Sequence, residues 1–297
     1  MVRNKATVFA LISLLLFGIE GLSQPAQRCF VLSLEVSQQP SAEFEKLRDA
    51  VMRVLKNRFE LFKLTPVRMT KEGPQHIVVA WQREPDLQLV SRVVHQVGLL
   101  EFKRVVQVLP PDQELAIAED EEILHGFECQ SDQARCWHYV VKKEPLLTSA
   151  ALAKAELRRG DHPYQPPYYI SLILNDEGAR RWREVIMQLR PEQDRLAIVV
   201  DRVVYSAPVI ARSLQEAASR TDKINQSVIT GNFTKDEAKL LTNLLNSGVL
   251  PVEVNIVESG MVRSDLCSSF GDKNFFVLMA IAMLFLALVM IAFKAYL

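Results

Sequence analysis

The chain has 297 residues, 49% hydrophobic and 24% charged, a composition that excludes disorder and fits one large domain or two modest ones with accessory segments. Its 35 basic and 35 acidic residues give a formal net charge of zero, which argues against a phosphate-backbone partner, so no nucleic acid is expected. Ordinary counts of 11 Gly and 14 Pro exclude collagen-like and low-complexity classes. At the N-terminus, Arg3 and Lys5 precede an apolar run of roughly 14 residues over 6–19, the form of a signal peptide occupying 1–23, with Gly21 and Ser23 as small residues for cleavage. An uncleaved signal anchor is the competing reading. Either one delivers the chain beyond it to the exported side of a membrane.

From Cys29 onward the hydrophobic period changes in an informative order. Phe30, Leu32, Leu34 and Val36 alternate, which predicts a half-buried strand. Phe44, Leu47, Val51, Leu55, Phe59 and Phe62 recur at helical spacing behind Ser41 as N-cap. Residues 66–70 and 76–82 read as strands around a turn at 71–74. Leu87, Val90, Val94 and Val97 form one face of a second helix ended by Gly98, and 99–108 is a closing strand. This order of elements is the split βαβ, so residues 24–110 are expected to form a ferredoxin-like base subdomain.

Pro110-Pro-Asp-Gln-Glu and the acidic run 119–122 mark a junction, read as a solvated face. Cys129 and Cys136 flank Gln-Ser-Asp-Gln-Ala-Arg between strand-like 124–128 and 137–141. A hairpin would bring the two thiols together, and a disulfide is the expectation in an exported protein. His125 and His138 complete a His/Cys/Cys/His quartet, but the Cys spacing is wider than zinc motifs use, so metal is the weaker alternative and free thiols another. Whether Cys29 and Cys267 pair stays open. Further on, 168–174 is a β-prone strand, and Asn175 caps a helix with Ala179, Trp182, Ile186 and Leu189 on one face. Residues 196–200 and 203–206 make a tight hairpin about Asp201-Arg202. Thr234-Lys-Asp-Glu237 is a capping box opening a Leu-rich helix that Gly248 ends. Residues 111–248 are thus expected as junction and α+β head, 249–262 as a strand returning to the base, and 263–274 as a juxtamembrane linker. Residues 275–293 carry no charge over about 19 residues, enough at about 1.5 Å each to cross a bilayer as a transmembrane helix.

Chemistry-bearing motifs are missing. No Gly-rich phosphate loop, HExxH, GxSxG or closely spaced Cys pair occurs, and the five His are scattered. Asp176-Glu177 suits a helix start and Asp201 a turn. No catalytic residue, cofactor or metal is assigned, and the chain is not expected to be an enzyme. Ser206, Ala207, Pro208, Val209 and Ile210 leave a strand through a proline that cannot donate to a ladder; they are candidates for edging a groove that accepts extended apolar peptide. The competing reading packs Val209 and Ile210 into the head core.

Four stretches carry a resemblance in order and spacing: Leu196-Ala-Ile-Val-Val-Asp201, Ser206-Ala-Pro-Val-Ile210, Ile229-Thr-Gly-Asn-Phe-Thr234 and Leu244-Leu-Asn-Ser-Gly-Val-Leu-Pro-Val252. Together they resemble the large periplasmic domain of the SecD family of protein-export membrane subunits. Gly73-Pro-Gln-His-Ile-Val-Val79 and Val97-Gly-Leu-Leu-Glu-Phe102 look like that family's base, and Glu144-Pro-Leu-Leu-Thr148 like the entry to its head. The resemblance covers most of residues 30–262 and implies a ferredoxin-like base carrying an inserted α+β head. There are departures. The family's Asp-Leu-x-Gly-Gly is replaced by Gln24-Pro-Ala-Gln-Arg-Cys-Phe30, and its Gly-Pro-Ser-Leu-Gly by Arg263-Ser-Asp-Leu-Cys-Ser-Ser-Phe-Gly271. The Asp-Gly hairpin turn has become Asp201-Arg202, and the sequence extends to what would be the second span.

The expectation is therefore a truncated SecD-like accessory of Sec-dependent export, held in the bacterial inner membrane with its main domain on the periplasmic side. Its implied partners are the lipid bilayer, unfolded exported polypeptide, and Sec translocase membrane subunits of SecF-like or full-length SecD-like type. Residues 275–293 hold no ionisable side chain, so no proton pathway of its own is expected. Alternatives are a stand-alone binding or sensor module, a decayed SecD fragment, and an exported hydrolase.

Overall fold

The computed structural model describes residues 28–36, 43–66, 68–110, 113, 116–130, 136–162 and 165–263. The expected segments 1–23 and 275–293, and Cys267 as a pairing partner for Cys29, lie outside the described residues. Among those described, no helix is long and apolar enough to cross a membrane.

The first unit contains β1 (Arg28–Val36), α1 (Phe44–Leu61), β2 (Arg68–Glu72), β3 (His76–Trp81) and α2 (Leu87–His95). After these come β4 (Leu100–Leu109), β5 (Glu121–Gly126), β6 (His138–Lys142), β7 (Leu147–Thr148), β8 (Leu152–Arg159), β9 (Tyr168–Leu174) and α3 (Asp176–Gln188). The last group is β10 (Arg195–Val200), β11 (Val203–Ser206), α4 (Arg212–Ser219), β12 (Gln226–Thr230), α5 (Lys235–Ser247) and β13 (Val254–Arg263).

Alternation in β1 buries Phe30, Leu32, Leu34 and Val36 with Ile77, Val79 and Trp81 of β3, beneath Val51, Leu55 and Phe59 of α1 and Val90 and Val94 of α2. Register follows from that pattern: Phe30 opposes Trp81, Leu32 opposes Val79 and Leu34 opposes Ile77. Trp81 meets Phe59 edge-on at 5.5 Å and donates its indole N–H to the Leu64 carbonyl at 2.7 Å. The sheet is antiparallel in the order β13-β1-β3-β2. The strand expected to close it from 99–108 does not do so. That stretch is β4, which belongs to a second sheet, and β13 takes the place beside β1.

In the second sheet the pairings close on themselves: β4 with β10, β10 with β11, β11 with β5, β5 with β6, and β6 with β4. One face of β10 turns into this ring and the other packs against helices α3 and α5, so the strand is buried on both faces and its apolar run is uninterrupted. Ala197 and Val199 join Leu124, Val141 and Val204 in one cluster. Leu196, Ile198 and Val200 join the larger head core with Phe102, Trp182, Ile186, Leu241 and Leu244. The third sheet, β12-β9-β8, adds Ile170, Leu172 and Ile229 to that core. The acidic run is only partly a solvated face. Glu122 is half-buried and bonds Lys103 at 2.6 Å and Arg202 at 2.9 Å; burial raises its pKa, but the two cations outweigh that and hold it below the usual carboxylate range.

Helix α3 starts where Asn175 accepts the Gly178 N–H at 2.8 Å and donates to the Ala150 carbonyl at 2.7 Å. A Cβ on Gly178 would lie 2.4 Å from the Ala151 carbonyl oxygen. Alanine normally favours a helix over glycine by about 1 kcal/mol, but here the obstacle is backbone. Gly178→Ala is expected to destabilise the head by about 1–2 kcal/mol in urea unfolding. A stabilised variant would show that the loop at Ala151 yields freely.

Candidate functional site

The β10–β11 turn has two residues in the left-handed region, Asp201 (φ 48) and Arg202 (φ 66), as a primed hairpin turn requires. The Asp201 carboxylate accepts the N–H groups of Gly98 at 2.9 Å and Leu99 at 2.8 Å, so it ties the head hairpin to the segment that leaves α2. Its role in this geometry is structural.

Beyond β11 the chain runs back along β10. The Leu196 N–H donates to the Pro208 carbonyl at 3.1 Å and the Ile210 N–H to the Asp194 carbonyl at 3.0 Å, with Val209 opposite Arg195. In this pattern the pair is of the non-hydrogen-bonded kind, so the N–H and C=O of Val209 point away from β10. On that other side lies β12, the edge strand of its sheet. Ser206 Oγ and Thr230 Oγ1 approach to 3.4 Å at one end. Between the two runs is a groove of about 250 Å³, floored by Trp182, Leu196 and Ile198 and rimmed by Pro208, Val209 and Val228. That volume is below the range of small-molecule pockets and suits one or two apolar side chains. Val228 is 44% exposed although β-branched and apolar, and the Trp182 indole N–H has no acceptor among the described residues.

The five sequence candidates therefore separate. Pro208 is exposed, while Ser206, Ala207 and Val209 are half-buried. Ile210, offered as a peptide contact, is 2% exposed and belongs to the head core, because its N–H and side chain both turn toward β10 and α3. Val228 and the edge of β12 escaped sequence reasoning; the available signal was the alternation of Val228 and Ile229 in a short β-branched run.

The β5–β6 hairpin carries the cysteines. Cys129 and Cys136 are joined as a disulfide with Cα atoms 4.2 Å apart. His125 and His138 face each other across the ladder. Tyr205 stacks on Phe127 at 4.8 Å beside Phe233, and burial pushes its hydroxyl up to about 12, so it is no acid–base group at neutral pH. Asp176 and Glu177 pair with Lys223 and Arg180 at the start of α3, as acids at a helix N-terminus do.

Residues 121–252 match the family model described as SecDF, P1 head subdomain. The protein translocase subunit SecD of Endomicrobium trichonymphae is 29% identical over 252 residues, spanning 77% of this chain and 50% of that protein. SecD of Aquifex aeolicus is 28% identical over 228 residues, spanning 75% of this chain and 42% of its own length. The chain thus spans about half the length, or less, of these curated relatives. A crystal structure of SecDF in a super-membrane-facing form superposes with a TM-score of 0.58 at 23% identity, covering 86% of this chain and 34% of that one. A second, of a SecDF membrane component that enhances protein export, gives 0.55 at 23% identity, with 79% of this chain and 99% of that chain covered. At such identity both likenesses speak to the fold.

Proposed function

The chain carries a SecD-family periplasmic domain, and from that premise we propose that it is a non-enzymatic accessory of Sec-dependent protein export whose head groove takes extended, apolar segments of emerging polypeptide. The observation that carries this reading is the pairing of two backbone edges across an apolar floor. Val209 on one side and β12 on the other can each add a strand to their own sheet, while Trp182, Leu196 and Ile198 receive alternate side chains. Main-chain hydrogen bonds are indifferent to sequence, which suits a binder of many clients. The base, with order β13-β1-β3-β2 and two helices on one face, is in this reading a ferredoxin-like platform facing the periplasm and close to the bilayer. Its partners would be SecF-like or full-length SecD-like membrane subunits. The described domain contributes client contact, and proton-driven work falls to those partners.

A photo-crosslinker at Val209 or Val228 is expected to capture a slowly exported precursor, while one at Val257, 49% exposed but on β13 of the base, is not. Val228→Lys should reduce capture at Val209 severalfold without lowering the melting temperature, since Val228 is a rim residue. Equal capture from all three positions would end the groove reading.

A further inference from the structure

The β5–β6 hairpin brings together four side chains of the kinds that ligate zinc, two of them joined as the disulfide. One ligand atom from each of His125, Cys129, Cys136 and His138 lies within 4.8 Å of every other. The fold accounts for the arrangement. His125 and His138 are direct partners in the hairpin ladder, and their rings meet edge-on with centroids 4.7 Å apart. A short 3-10 turn over Phe127–Gln130 swings Cys129 back over the strand ends, and Cys136, two residues before His138, puts its Sγ 3.4 Å from His138 Nε2. The hairpin thus supplies the preorganisation that closely spaced cysteines supply in other zinc motifs.

Two thiolates and two neutral imidazoles are a donor set that zinc takes in tetrahedral sites, with Zn–S about 2.3 Å and Zn–N about 2.0–2.1 Å. Those bonds place ligand atoms roughly 3.3–3.8 Å apart at the corners of the tetrahedron. Reaching that range brings the outermost ligand atoms about an ångström closer and, once the disulfide is reduced, parts the two bonded sulfurs by more than an ångström; His125 is exposed while the other three are half-buried, so metal and reductant can both reach them.

We propose that this cluster has two mutually exclusive states, a Cys129–Cys136 disulfide and, when reduced, a four-ligand site for zinc. A dithiol reductant breaks the S–S bond, supplies the two electrons and leaves as its own disulfide, giving two cysteine thiols. Zinc binding then expels one proton from each thiol to solvent, and the imidazoles coordinate as neutral rings. A disulfide oxidant withdraws two electrons, reforms the S–S bond and releases the metal. Either state pins a hairpin whose His125 and Gly126 pair with Val203 and Val204 of β11, just ahead of the Ser206–Val209 rim.

The test uses the full chain, reduced with a phosphine that is then removed, and zinc or cobalt(II) as probe. Reduced protein should retain one zinc per chain after desalting and give the visible cobalt spectrum of a tetrahedral sulfur–nitrogen site; oxidised protein should do neither. His125→Ala and His138→Ala should each weaken zinc binding by about tenfold or more, since even groups that only orient a ligand are worth that much. A thermal melt checks that these variants stay folded. Zinc retained equally by oxidised protein, by the Cys129→Ser/Cys136→Ser double variant, or by both His variants at unchanged affinity overturns the proposal. So does reduced protein that retains none.

Discussion

Replacing Arg58 with Met is expected to cost about 2–5 kcal/mol of stability, a large share of the roughly 5–15 kcal/mol that holds a typical domain folded. Arg58 lies on α1 and is fully buried. Its Nη1 donates to the carbonyls of Val93, at 2.7 Å, and Gln96, and its Nη2 to those of Val97 at 2.8 Å and Gly248 at 3.2 Å. The Nε donates to Ser247 Oγ at 3.2 Å. The Val93 and Gln96 carbonyls lie at the C-terminal end of α2 and Gly248 just past that of α5, so one guanidinium caps two helices distant in sequence, at their negative ends; the Val97 carbonyl also accepts the Leu250 N–H at 2.9 Å. Burial pushes its pKa down to about 10, with Asp201 opposing, so it remains cationic at neutral pH. Methionine fills much of the space but takes the guanidinium donors from the Val93 and Gln96 carbonyls, while Val97 keeps the Leu250 N–H and Gly248 the Ser247 hydroxyl at 3.5 Å; the cost arises at the first two. Lysine keeps the charge but lacks the fork, and Arg58→Lys should recover only part of the loss. Urea unfolding checks both variants. A loss under about 1 kcal/mol for Met would mean that water enters the junction and replaces the guanidinium.

Arg58 also shows where sequence reading stops. It falls seven residues after Val51, on the same face as Leu55 and Phe59, and the helical period there is clear enough to fix α1. A cation on that face signals a buried partner but not which one, because Ser247 and Gly248 lie far along the chain. Strands behave alike. The alternation in β1 and β3 fixes their inner faces, yet the apolar pattern of β4 serves equally well in either sheet. Its membership is decided by β10 and β6, distant in sequence, which occupy its two edges. Local composition misleads most at β8. Leu152-Ala-Lys-Ala-Glu-Leu-Arg-Arg159 is built from good helix formers, but as a strand it turns Ala155 and Leu157 toward the head core while Lys154, Glu156 and Arg158 pair with one another outside. Of the candidate groove, sequence reading reaches one rim, Ser206 to Val209, and misses the floor at Trp182, Leu196 and Ile198 and the opposite rim at Val228, which come from other elements. Proline at 208 marks the departure from the ladder, but whether Val209 or Ile210 faces outward depends on register with Arg195.

That register rests on Asp194, and Asp194→Asn is expected to cost about 2 kcal/mol at pH 7, a difference that vanishes in acid. The side chain is 6% exposed. Its Oδ1 accepts from Arg190 Nε at 3.2 Å and Nη2 at 2.9 Å, and its Oδ2 from the Arg190 N–H at 2.8 Å and Arg104 Nη2 at 2.9 Å. Arg190 holds the carboxyl below its ordinary value of 3.8; burial opposes, and Arg104 adds to the lowering. For an acid whose folded pKa is depressed, the stabilisation is complete above the unfolded pKa and is lost as pH falls through the folded one. The gap between wild type and Asp194→Asn should therefore be constant from neutral pH down to about 5. It should narrow from about pH 4 and close once the wild-type carboxyl is itself protonated. Arg104 and Arg190 are each largely exposed, so most of the cost comes from the carboxylate's lost hydrogen bonds and little from the arginines left behind. The same group shapes the groove. Its own carbonyl accepts the Ile210 N–H, and the Arg190–Asp194 turn sets the height at which Pro208 and Val209 pass β10. Loosening that turn should lower crosslinking at Val209 more than at Val228, whose strand is anchored to β9 instead. Urea melts at several pH values, with crosslinking yields at pH 7, test both halves. A stability gap that persists unchanged at low pH would assign the loss to packing of the amide and not to the charge, and equal loss of crosslinking at both positions would detach the groove from this turn.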